Sequence, residues 1–144
     1  MENVSLSDPA LSSIASVKQF SMSLLETTAA FQAALHRLSA TDTAFADSGF
    51  AVLTEIYGIK ARAFVLQNDP ANHALSGLGF SQSDLLALFD DVIEQSAHPA
   101  MPLSILRSIV VSVATFSVSL GEGREAVVDF LYTTLIREIS ALKS

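Results

Sequence analysis

The chain is predicted to be all-α: a single-domain bundle of five to seven helices around a buried apolar helix near residues 103–120. Three observations predict this. The first is the stretch Met101 to Leu120, MPLSILRSIVVSVATFSVSL, whose only charge is Arg107. Read as a helix, Ser104, Ser108, Ser112, Thr115 and Ser119 fall on one narrow stripe, and most of the remaining surface is aliphatic or aromatic. Such a helix belongs among other helices. The second is composition: 50% of the 144 residues are hydrophobic and only 16% are charged, enough apolar material for a real core. The third is punctuation. Pro, Gly and hydroxyl or Asp residues divide the chain into runs whose apolar residues recur at helical spacing, and no run reads as a clear strand.

Asp8-Pro9 is the first expected helix start, Asp8 capping and Pro9 opening. Leu11, Ile14, Val17, Met22 and Leu25 follow, with Phe20 on the same broad face. The run to Leu38 reads either as one helix or as two, with Thr27 or Thr28 capping the second. Thr41-Asp42 is the next cap, before Phe45, Gly49, Val52, Leu53, Ile56 and Ile59, with Ala61, Ala63, Phe64 and Leu66 continuing the apolar face. Gly49 and Gly58 lie inside this run at a cost of about 1 kcal/mol each against Ala. A close helix neighbour, or a break at Gly58, would explain them.

Asn68-Asp69-Pro70 stops one helix and starts a short one before Gly77 and Gly79. Ser81 with Asp84 is close to a capping box. The helix it opens carries Leu85, Leu86, Leu88, Phe89, Val92 and Ile93, with Asp90, Asp91 and Glu94 on its wet face. Pro99 and Pro102 bound the turn into the apolar helix, which Gly121 and Gly123 end. A last helix from about Arg124 buries Val128, Leu131, Leu135, Ile139 and Leu142. Residues 8–144 form the expected domain, after a flexible stretch over 1–7. One tension stands out: Ile109 to Leu120 is β-branched, uncharged and free of Pro, so it is a β-assembly window that packing must hold as a helix.

Charge narrows the function. A net charge of -7 with eight Lys and Arg in no basic patch argues against nucleic acid and against anionic lipid. Residues 101–120 have the length of a membrane span, but Arg107, the hydroxyls and the lack of flanking Lys/Arg bias favour a buried soluble helix. With no cysteine, disulfides and thiolate metal sites are excluded. The start MENVSLSDPALSS lacks the basic and apolar regions of a signal peptide, so in a secreted protein a signal would already have been removed.

No catalytic, cofactor-binding or metal residue is expected, and the chain is read as a non-enzyme. Gly121-Glu122-Gly123-Arg124-Glu125-Ala126 matches G-x-G-x-x-A, but only one helix remains after it, and Glu122 and Glu125 would face a pyrophosphate. Gly77-Leu78-Gly79-Phe80-Ser81-Gln82-Ser83 fails as a nucleophile elbow, because Ser83 stands where Gly is needed. His36, His73 and His98 show no metal spacing. A globin-like haem reading would use His73 and His98, yet His98 directly precedes Pro99. Asp90, Asp91 and Glu94 lack the spacing of a calcium loop. The nine Phe residues are spread over every predicted helix, as core anchors are.

Phe20-x3-Leu24-Leu25 followed by Ala30-Phe31-x2-Ala34-Leu35 resembles the opening of globular domains of spider silk proteins (spidroins). Gly49-Phe50 with Gly58-Ile59-x-Ala61 is similar to their glycine spacing. Ala87-Leu88-x3-Val92, then Ser104-Ile105, Ile109, Phe116 and Leu120-Gly121, are similar to their later helices. The resemblance implies a secreted, non-enzymatic assembly domain, soluble in storage and able to enter a fibre, with self-association into a homodimer or higher state. The rival expectation is a cytoplasmic, acidic helical adaptor, secretion chaperone or immunity-type protein that binds a basic protein partner.

Overall fold

The computed structural model describes residues 7–41 and 45–143, and the side chains of all of these except 45–47. Residues 1–6 of the expected flexible stretch lie outside it. The described residues form five α-helices and no named strand: α1 Ile14–Ser39, α2 Phe45–Asn68, α3 Gln82–Ser96, α4 Leu103–Glu122 and α5 Glu125–Lys143. A 3-10 turn, Pro70–His73, joins α2 to the segment before α3.

The first helix starts five residues later than Asp8-Pro9 suggests. Its cap is Ser13, whose side chain accepts from the Ser16 N–H while the Ser16 side chain accepts from the Ser13 N–H. Residues 8–11 form an arm instead. Pro9 bridges Ser81 in antiparallel fashion, the Ala10 N–H donates to the Phe80 carbonyl at 2.9 Å, and the Gln82 N–H donates to the Asp8 carbonyl at 3.0 Å. Leu11 is buried with φ 60°, a left-handed conformation that costs a leucine about 1 kcal/mol or more. Both of its backbone groups are held: its N–H donates to Gln82 Oε1 at 3.0 Å, and its carbonyl accepts from the Leu75 N–H at 2.8 Å.

Helix α1 runs unbroken. Thr27 and Thr28 do not cap a second helix; they are buried, and their hydroxyls donate back to the Ser23 and Leu25 carbonyls at 2.9 and 2.7 Å. The seam is Val17, Phe20, Leu24, Phe31, Ala34, Leu35 and Leu38, whereas Ile14 and Met22 are exposed. Helix α2 passes Gly58 without a break. The atoms nearest a Cβ placed there are those of Arg62, its own next turn, at 3.4 Å, so an arginine and not a neighbouring helix occupies that space. The expected Thr41-Asp42 cap involves Asp42, outside the described residues.

Helix α3 is capped as expected, with the Asp84 N–H donating to Ser81 Oγ at 3.0 Å. Its buried face is Leu85, Leu88, Phe89 and Val92. Helix α4 buries Leu106, Ile109, Val110, Val113, Phe116 and Leu120 against α1, α2 and α5. The hydroxyls that go inside with them, Ser117 and Ser119, donate to the Ala114 and Phe116 carbonyls at 2.7 and 2.6 Å. One face stays open, with Ser104, Arg107, Ser108, Val111, Thr115 and Val118 exposed, so α4 is flanked and not walled in. By length and composition α4 is apolar enough to cross a membrane, but 56% of its apolar window is buried inside the bundle. Gly123, at φ 69°, ends it.

The core is knit at its centre by Phe20 of α1, Phe89 of α3 and Phe116 of α4, with ring centroids 5.0 to 6.2 Å apart. Helix α5 adds Val128, Leu135 and Ile139 as expected, and Tyr132, which stacks on Phe80 at 3.7 Å.

Candidate functional site

The sequence motifs that were set aside sit in ordinary structural roles. Gly121-Glu122-Gly123 is the end of α4 and the turn into α5, a helix–turn–helix where a dinucleotide fingerprint needs a strand. Gly77 and Gly79 lie in the connection before α3, with no strand ahead of them. Their N–H groups are held by two carboxylates of α5: Gly77 donates to Glu125 and Gly79 donates to Asp129 Oδ1 at 2.8 Å. Sequence reasoning missed this clamp. The signal available was the i, i+4 spacing of Glu125 and Asp129 in the first turns of a helix.

The two candidate axial histidines are at opposite ends of α1. His73 Nδ1 pairs with the Asp69 carbonyl at 2.8 Å, in a turn whose next residues reach Leu11. His98 Nδ1 accepts from the Ala100 N–H, and the His98 carbonyl lies by Arg37, near the end of the same helix. A 26-residue helix separates those ends, about 39 Å at 1.5 Å per residue, so no haem fits between them. Among the described residues no group of three His, Asp or Glu side chains is arranged to hold a metal.

What the fold leaves unused is surface. Among the Phe side chains described, three are not core anchors: Phe50, Phe64 and Phe130 are 79%, 43% and 68% exposed. Phe50 and Phe64 lie on α2 with Tyr57, also exposed, between them. The seven-residue steps place all three on one stripe, and Thr54, Ala61 and Asn68, likewise exposed, alternate with them. The stripe runs opposite the buried seam Val52, Ile56, Ile59, Ala63 and Leu66. From Phe50 to Asn68 it carries no charge. Its length is about 27 Å.

Toward α4 the stripe is edged by Ala51, Gly58 and Val65, and Arg62 and Glu55 lie further round the helix, beside the buried seam. Arg62 Nε donates to Ser117 Oγ of α4 at 2.7 Å. Burial holds its guanidinium below the usual arginine range, partly offset by Glu55 one heptad earlier. Glu55 itself lines a groove between the helices with Ala51, Val52, Arg107 and Val111.

A second open feature lies between α3 and α5. Leu88, Tyr132, Ile136 and Ile139 floor a groove of about 380 Å³, rimmed by Asp84 and Asp91. Asp90 and Glu94 stand exposed on the outer side of α3, and Lys143 pairs with Asp91 at 3.1 Å. Burial against Phe80, with Asp84 nearby, pushes the Tyr132 phenol above its ordinary range. Compared with known protein families, curated proteins and solved structures, the chain matches none.

Proposed function

We propose that this chain is a self-associating helical module without chemistry of its own, serving as the assembly domain of a silk-like fibre protein. The observation that carries self-association is the uncharged aromatic stripe Phe50–Tyr57–Phe64 on α2. Aromatic side chains in water on a helix that already has a full buried seam find their burial in a partner. The fibre context is supported by the resemblance of the apolar and glycine spacing, and by the β-prone stretch of α4, two of whose valines, Val111 and Val118, already stand outside the core. Secretion belongs to this reading. Sedimentation tests it: the chain is expected at twice 15.3 kDa, and Phe50→Ser with Phe64→Ser returns it to one mass. A single mass for the unaltered chain at about 1 mM would leave less than about 4 kcal/mol for the contact and end the reading.

The acidic groove between α3 and α5 favours a second reading, a cytoplasmic adaptor for a basic protein segment. A cationic amphipathic peptide that shifts the amide signals of Leu88 and Ile136, with affinity falling as salt rises, would support it.

A further inference from the structure

We propose that the groove between α3 and α5 takes a cationic amphipathic helix of a partner protein, with basic residues seven positions apart, and that Lys143 competes for one end of it. This rests on the second reading above and adds the partner's pattern and a resident competitor.

The groove has a direction and a length. Asp84, Leu88 and Asp91 line it from α3, and Tyr132, Ile136 and Ile139 line it from α5. Both sets step by four and then three, so each is one stripe along its helix. Lys143 continues the α5 stripe by one more turn and meets Asp91. The floor is aliphatic, with Leu88 facing the two isoleucines, and the α3 rim is acidic at both ends. Asp84 and Asp91 are two turns apart, about 10 Å along the helix. A third helix laid along the groove sets its residues i and i+7 over the same interval, and i+3 and i+4 over the floor. Lys or Arg at the first two positions and Leu or Ile at the second two complete the fit. The interval is the same whichever way the incoming helix runs.

Charge selects this partner. Among the described residues Asp84 has no ion pair. Glu125 and Asp129, which precede Tyr132 on α5, hold the Gly77 and Gly79 N–H groups and add negative potential at the same end. At the other end the rim already carries an ammonium group, Lys143 Nζ, 3.1 Å from Asp91. That pair is open to water, with side chains 49% and 36% exposed, and exposed pairs of this kind are weak. An arriving Lys or Arg can therefore exchange for Lys143 at Asp91 while its mate seven residues away pairs with Asp84. Lys143 lowers the affinity without closing the groove.

Two synthetic Ala-rich helical peptides of equal composition test this against the full chain by fluorescence anisotropy. Each has two Leu and two Lys; the lysines are seven apart, flanking the leucines, in one and four apart in the other. The seven-spaced peptide is expected to bind about two- to fivefold more tightly, the worth of one added ion pair. Asp84→Asn and Asp91→Asn should each remove that preference, with circular dichroism confirming the fold. Lys143→Ala should tighten binding of the seven-spaced peptide by a similar factor. Equal affinity for the two peptides overturns the pattern and leaves the adaptor reading standing. Unchanged affinity in Lys143→Ala overturns the competition. If neither peptide at about 1 mM moves the amide signals of Leu88 and Ile136, the inference and the reading beneath it both fall.

Discussion

The Gln82 side chain is fully buried and has every polar group in use. Its Oε1 accepts from the Leu11 N–H, and its Nε2 donates to the Ser16 carbonyl and to Gln19 Oε1, all at 3.0 Å. Gln82→Leu keeps the volume but strands these partners in the interior, so stability falls by about 3 kcal/mol, read as a lower urea midpoint at unchanged slope. Nothing in the sequence marks this residue. It reads as one more polar position in the cap Ser81-Gln82-Ser83, and its partners are 63 to 71 positions away. The glycines that end α4 were easier to read, and they make opposite predictions. Gly123→Ala costs about 1 kcal/mol, because φ 69° suits glycine. Gly121→Ala gains about 0.5–1 kcal/mol, because that position is helical with nothing within 4 Å of the new methyl. Thermal melts distinguish the two. At Tyr132 the folded pKa is raised. Its contribution is whole below the unfolded phenol's pKa, near 10, and fades as pH rises from there through the folded value. Tyr132→Phe should blunt the loss of stability that sets in as pH rises past the unfolded phenol's pKa of about 10.

At the scale of elements, the predicted helices are the observed ones wherever a buried stripe and its caps agree, as in α3 and α5. They differ where a local signal is overruled by a distant partner. Asp8-Pro9 has the local chemistry of a helix start, but pairing with 80–82 draws residues 8–11 into an arm, and Ser13 takes over the cap. Helix α4 is the sharpest case of packing against propensity. Its β-branched run is helical because Ile109, Val110 and Val113 have no exposed area to offer a sheet. The fibre reading predicts that shear, drying or neutralisation near the pI of 4.7 opens this helix into intermolecular β structure. Val111→Lys with Val118→Glu alters only exposed positions, so native stability changes by no more than about 0.5 kcal/mol while conversion slows. Val113→Glu instead buries a carboxylate and costs about 4 kcal/mol. Infrared amide bands and dye fluorescence during acidification follow the conversion. Unchanged rates in the Val111/Val118 variant would remove α4 from the mechanism.

For the whole molecule, half-hydrophobic composition announced a well-filled interior, and the core spans all five helices. It did not announce which apolar residues would be left over. Phe64 and Phe50 fit a helical pattern as well as Leu66 and Val52 do. Only the choice of which α2 face meets α1 and α4 divides them into core and surface, and that choice is made by contacts far along the chain. The outward charge has a consequence for assembly. Two copies of net charge -7 repel through water, so raising salt from about 0.01 M to about 0.15 M shortens the screening length from about 30 Å to about 8 Å. The dissociation constant should fall several-fold, and a rise would mean that net repulsion does not govern the approach of two copies. The arm at residues 8–11 has a temporal counterpart. Because the amides of Ala10, Leu11, Leu75 and Gln82 donate to the Phe80 carbonyl, the Gln82 side chain, the Leu11 carbonyl and the Asp8 carbonyl, all four bonds join the arm to residues 75–82 and are broken together when the arm lifts. The four amides should therefore share one exchange rate, a single breathing unit at that end of the bundle, and Gln82→Leu should quicken all of its members by the same factor.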